Sequence, residues 1–67
     1  MRIRLNGDPV DLAPGATVAA AVAALAADAE RGVAVAVDGE VVPRSAWEAT
    51  ALEDGQEVEV LHAVQGG

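Results

Sequence analysis

Few residues of this 67-residue chain could do covalent chemistry. It holds one histidine (His62), one serine (Ser45), two threonines (Thr17 and Thr50), and neither cysteine nor lysine. A catalytic nucleophile needs a base beside it and a third group to orient that base, and so sparse a set does not assemble one. His62 could serve as a general base, but a single histidine near a strand end reads as a surface or locally satisfied residue. Without lysine there is no Schiff-base chemistry and no GxxxxGK phosphate loop. The carboxylates Glu53, Asp54, Glu57 and Glu59 have neither histidine partners nor calcium-loop spacing, so no metal site is read from them. The expectation is a protein that is not an enzyme on its own and binds no cofactor of its own.

What remains is the end of the chain. Gly66 and Gly67 carry no side chain, so a carboxylate on Gly67 could thread a narrow channel in conformations closed to other residues. Two glycines alone would also suit a disordered terminus. At the end of a strand, however, such a tail fits one task, the presentation of a carboxylate for activation in another protein's active site.

The elements that would position this tail follow from periodicity. Met1, Ile3 and Leu5 alternate with Arg2 and Arg4, the pattern of a half-buried strand. Asn6-Gly7 then signals a hairpin, with a return strand carrying Val10 and Leu12. After Pro14-Gly15, Thr17 is an expected N-cap, and Val18, Ala21, Val22, Leu25 and Ala29 share one helical stripe, with Gly32 at the C-terminal cap. The next strand, residues 33–37, sets valines on one face and alanines on the other. Asp38-Gly39 turns it into a short segment, 40–42, closed by Pro43. Ser45 is expected to cap a single turn carrying Trp47, which should pack in a core otherwise free of aromatics. After Leu52 and a turn at Asp54-Gly55, Val58 and Val60 alternate with Glu57 and Glu59 in a last strand that runs on through His62 and Val64.

One helix over one apolar face of a mixed sheet makes a two-layer α+β domain. The domain is expected over residues 1–64, with 65–67 as a flexible tail. The net charge of -7 argues against nucleic acid and anionic membrane as partners. No apolar signal core or membrane-spanning stretch is evident, which gives a cytoplasmic expectation.

With these elements in place, the sequence resembles the ThiS family, the sulfur-carrier proteins of thiamin biosynthesis, within the ubiquitin-like β-grasp proteins. The resemblance is carried by Val37-Asp38-Gly39-Glu40-Val41-Val42-Pro43-Arg44-Ser45-Ala46-Trp47, by Leu52-Glu53-Asp54-Gly55-Gln56-Glu57-Val58 and by Val64-Gln65-Gly66-Gly67. The opening Ile3-Arg4-Leu5-Asn6-Gly7 is similar too, so nearly the whole chain is covered. Asp38 departs from the asparagine more usual there, and both residues suit the turn. The resemblance implies a β-grasp fold and a co-substrate role. A ThiF-like adenylating enzyme, using ATP and Mg²⁺, would activate the Gly67 carboxylate. A persulfide source such as a cysteine desulfurase would convert it to a thiocarboxylate, and a ThiG-like thiazole synthase would take the sulfur. Gln65 and Gly66 would form the tail.

A docking face is expected on the outer side of the sheet. If Val35, Val37, Val58 and Val60 face the helix, then Ala34, Ala36, Leu61 and Ala63 face outward as a shallow apolar patch. Three alternatives stay open: a molybdopterin-synthase small subunit, a ubiquitin-like modifier conjugated through Gly67, and a binding module with an inert tail.

Overall fold

A computed structural model describes residues 1–25 and 33–62, and of His62 the backbone alone. The chain runs as β1 (Arg2–Leu5), β2 (Asp8–Asp11), α1 (Val18–Leu25), β3 (Val33–Val37), β4 (Glu40–Val42), a 3-10 turn (Arg44–Ala46) and β5 (Glu57–His62). The strands form one sheet in the order β2-β1-β5-β3-β4. β1 and β5 pair in parallel at its centre, and the other neighbours are antiparallel. With α1 across one face, this is the expected β-grasp arrangement.

Two Asx-Gly pairs make the hairpins. Asn6 and Gly7 have φ of 51° and 87°, and Asp38 and Gly39 have 50° and 84°. Positive φ at both central residues defines the turn whose twist matches that of paired strands, and asparagine, aspartate and glycine tolerate it best. The turns fix register: Leu5 lies opposite Asp8 and Ile3 opposite Val10, while Val37 lies opposite Glu40 and Val35 opposite Val42. Leu12 falls just past β2, yet it still exchanges backbone bonds of 2.8 Å with Met1.

α1 begins where the sequence places it. Thr17 Oγ1 accepts from Ala20 N at 3.4 Å, the expected N-cap contact. The two N–H groups before it find partners on the segment after the 3-10 turn: Val18 N donates to Thr50 O at 3.0 Å and Ala19 N to Trp47 O at 3.2 Å. These bonds satisfy donors that a helix start leaves open and tie α1 to that segment. Val18, Ala21 and Val22 are buried, whereas Leu25, on the same stripe, is 40% exposed. The first two turns of the helix therefore grip the core. Ala29 and the Gly32 cap lie outside the described residues.

Ser45 does not cap the turn that leads to Trp47. Pro43 holds the cap position, with φ of -66° and no side-chain cap bond, and Ser45 is exposed within the turn. Proline's fixed φ starts the turn two residues before Ser45, and Pro43 O accepts from Ala46 N at 2.8 Å. Trp47 is buried as expected, and its Nε1 donates to Val42 O at 3.0 Å.

The core joins Ile3 and Leu5 of β1, Val18, Ala21 and Val22 of α1, Val35 of β3, Trp47, Leu52, and Val58 and Val60 of β5. Ile3, Val18, Val35 and Val58 are its fully buried large side chains, each worth about 1.5–3 kcal/mol of transfer free energy. Among the described residues no helix is long and apolar enough to cross a membrane.

Candidate functional site

β5 is the strand that leads toward the Gly-Gly end, and its neighbours grip it unequally. β3 runs beside it from Val37 opposite Val58 to Val33 opposite His62. On the other side, β1 contributes Arg4 opposite Glu57 and Leu5 opposite Val58, and then the chain turns away. At that point the Asn6 side chain continues the ladder. Val60 N donates to Asn6 Oδ1 at 2.8 Å, and Asn6 Nδ2 donates to Val60 O at 3.2 Å. The backbone N of Asn6 meanwhile donates to Val58 O at 2.9 Å.

Asp38 secures the start of the same strand. Its Oδ1 accepts from Glu57 N at 2.9 Å and its Oδ2 from Gln56 Nε2 at 3.3 Å. Both bonds need only acceptors, so aspartate meets the whole demand here. The Asp54-Gly55 turn is fixed to β1, with Arg2 N donating to Asp54 Oδ1 at 2.7 Å and Gly55 N to Arg2 O at 2.8 Å.

The outer face divides into a charged half and an apolar half. On β1 and β2, Arg2 Nε meets Asp11 Oδ1 at 2.9 Å with both side chains exposed. The hydrogen bond and the charge of Arg2 hold the Asp11 carboxyl below the usual carboxylate range, and Asp11 in turn raises the Arg2 guanidinium. Such an exposed pair adds little to stability. On β3 and β4, and at Leu61 of β5, the outward residues are apolar, with Glu59 bordering them opposite Ala36. Leu61 stands opposite Ala34, and Ala36 opposite Val41. Leu61 is 65% exposed and Val41 72%, with Ala34 exposed and Ala36 half-buried between them. Glu57 and Glu59, both exposed, lie on the same outward phase of β5.

The structure thus brings Leu61, Ala34 and Ala36 together as the sequence implies. It adds Val41, which sequence reasoning missed. The signal was available, because a two-residue turn at Asp38-Gly39 sets Val41 opposite Ala36, away from the core-facing Val42. Ala63, Gln65, Gly66 and Gly67 lie outside the described residues. Among the described residues, no group of three or more His, Cys, Asp or Glu side chains could hold a metal ion.

A mixed five-stranded sheet in the order β2-β1-β5-β3-β4 with one helix across it places the chain among the ubiquitin-like β-grasp proteins. The ThiS family model matches residues 3–67. The chain belongs to the ThiS family, the small sulfur carriers of thiamin biosynthesis that its sequence resembles. A crystal structure of a thiamine biosynthesis protein (ThiS) from Geobacter metallireducens is similar at a TM-score of 0.83 and 35% identity, with 100% of each chain covered. A solution structure of a thiamine biosynthesis protein from the same organism is similar at 0.79 and 38% identity, covering 100% of this chain and 88% of the other. No curated protein matches the chain.

Proposed function

We propose that this chain carries sulfur as a thiocarboxylate on Gly67 and delivers it for thiazole formation in thiamin biosynthesis. One observation carries the reading: the family match extends through residue 67 and so takes in the Gly-Gly that would react. A carboxylate is a poor electrophile until one oxygen becomes a leaving group. In the proposed cycle, the Gly67 carboxylate oxygen attacks the α-phosphorus of ATP in a ThiF-like adenylating enzyme. Pyrophosphate leaves and an acyl-adenylate forms. The terminal sulfur of a partner persulfide then attacks the acyl carbon and AMP departs, giving an acyl disulfide. A second partner thiol attacks the partner-side sulfur, closing a disulfide between the two partner thiols and releasing the thiocarboxylate. This chain has no cysteine, so both sulfur nucleophiles come from the partner. Charge stabilisation and Mg²⁺ also belong to the partner's site. Thiazole synthase would then accept the sulfur.

The apolar half of the outer face, Leu61, Ala34, Ala36 and Val41, with Ala63 beyond it in sequence, is the proposed docking surface. Its two most exposed side chains would anchor the contact, and the small residues between them would let a partner approach closely. The test is direct. The full chain, a ThiF-like enzyme, ATP and a persulfide donor should yield a protein with one oxygen replaced by sulfur, localised by fragmentation mass spectrometry to Gly67. A chain that stays unmodified while another ThiS protein reacts under the same conditions overturns the proposal.

A further inference from the structure

We infer that Asn6 is a positioning residue for the reactive end, fixing the course of β5 at Val60, seven residues before Gly67. The inference rests on the carrier reading above. On its β1 side, β5 is paired by backbone only as far as Val58. A primary amide carries a carbonyl acceptor and N–H donors, as a peptide group does, so the Asn6 side chain stands in for the residue β1 lacks. It satisfies both the N–H and the C=O of Val60.

The turn alone does not select asparagine. Glycine would adopt the φ of 51° with less strain. Aspartate would tolerate it too, and could accept from Val60 N, but when ionised it has no donor for Val60 O. The paired contact with Val60 is what asks for an amide. Val60 is also the last buried residue among the described side chains of the strand, and Leu61 of the proposed docking face comes next. Beyond Val60, the described pairing of β5 is with β3 alone, at Ala34–Leu61 and Val33–His62. A strand gripped on one flank opens more readily than one gripped on two. The clamp therefore sits beside Leu61 of the proposed docking face, where the described pairing of β5 with β1 has ended.

The experiment uses the full chain as wild type, Asn6→Gly and Asn6→Asp. Amide hydrogen exchange is read at Val60, Leu61 and His62 against Val35, and adenylation by a ThiF-like enzyme is followed with the carrier as varied substrate. Asn6→Gly keeps the turn and removes both clamp bonds. Exchange at Val60 should quicken at least about tenfold over that at Val35. The kcat should fall about tenfold with the carrier KM near wild type, because docking survives while the carboxylate is misplaced. Asn6→Asp should keep part of the Val60 N–H protection and recover part of the kcat. Wild-type exchange at Val60 in Asn6→Gly, or faster exchange with unchanged kcat, overturns the inference. A rise in KM alone overturns it as well, since Asn6 would then belong to the docking surface. Failure of the carrier reading looks different, because wild type itself would not be adenylated, and the exchange measurements would still report whether the clamp exists.

Discussion

Leu61→Asp should separate folding from the proposed docking, because alternate residues of β5 face the core and the outer surface. Val58 and Val60 are 0% and 3% exposed, and Leu61 is 65% exposed. Burying a whole leucine is worth about 1.5–3 kcal/mol, so the third already covered contributes only about 0.5–1 kcal/mol to folding. At about 4–8 °C per kcal/mol for a domain of this size, the melting temperature should drop by several degrees and the fold should persist. Docking would cover the remaining two-thirds, so the substitution forfeits about 1–2 kcal/mol of apolar contact. An unpartnered carboxylate in that contact adds about 1–3 kcal/mol of desolvation. A total of about 2–5 kcal/mol raises the carrier KM by roughly 30-fold or more. Leu61→Ala, without the charge, should give a smaller rise of about 5- to 30-fold.

The assay pairs far-UV circular dichroism melts with ATP–pyrophosphate exchange by a ThiF-like enzyme at varied carrier concentration. Val58→Asp, on the buried phase of the same strand, is the control expected to unfold. A folded Leu61→Asp with wild-type KM would remove the outer face from the mechanism. A collapse as complete as that of Val58→Asp would mean that Leu61 is a core residue, contrary to its register.

Three further outcomes follow from the same geometry. Trp47→Phe removes the indole N–H that reaches Val42 O and should cost about 2–4 kcal/mol, combining lost ring volume with an unsatisfied carbonyl; a shift under about 0.5 kcal/mol in urea unfolding would contradict this packing role. Deleting Gly66 and Gly67 should leave the melting temperature unchanged, since the core runs from Ile3 to Val60; the truncated chain should fail in ATP–pyrophosphate exchange yet inhibit the full-length carrier competitively. For Asp11→Asn the sign follows from the depressed carboxyl. Its small stabilisation is present above the unfolded pKa and is lost as pH falls through the lower folded value. The melting difference between wild type and Asp11→Asn should therefore be present at neutral pH, shrink in high salt, begin to fall as the pH drops below about 4 and vanish only below the depressed folded value. A difference that grew on acidification would be inconsistent with the Arg2 pairing.

Local chemistry made much of this fold legible in the sequence. Asn6-Gly7 and Asp38-Gly39 demand one turn type, alternation names the buried face of each strand, and Thr17 marks the helix start. Ser45 misled because a serine just before a helical turn resembles a cap, while the proline ahead of it had already fixed the entry angle. Val41 was overlooked because a strand of three residues shows too little alternation to rank its two valines, and only the hairpin register separates them. The second role of Asn6 had no local signature. Its partner Val60 is 54 residues away, and the contact exists only because β1 and β5 pair in parallel at the middle of the sheet. Such pairing is set by the whole topology, so neither residue announces it.

That central pairing also puts core residues and the outward Leu61 of the proposed docking face on one strand. β5 is flanked by β1 from the start of the chain and β3 from its middle, and Val58 and Val60 join residues of both strands and of the helix in the core. A core of valine, leucine, isoleucine and alanine with one tryptophan gives a domain of this size about 3–10 kcal/mol of total stability. Little can be spared for holding a peripheral segment. β5 meets this with one core strand: Val58 and Val60 are held by burial, and the outward residue Leu61 inherits their placement. The Asn6 clamp stands at Val60, where the described pairing of β5 with β1 has ended and two side-chain hydrogen bonds hold the strand. If Gly67 carries sulfur as proposed, a Gly-Gly end without side chains could enter the different channels of its partners.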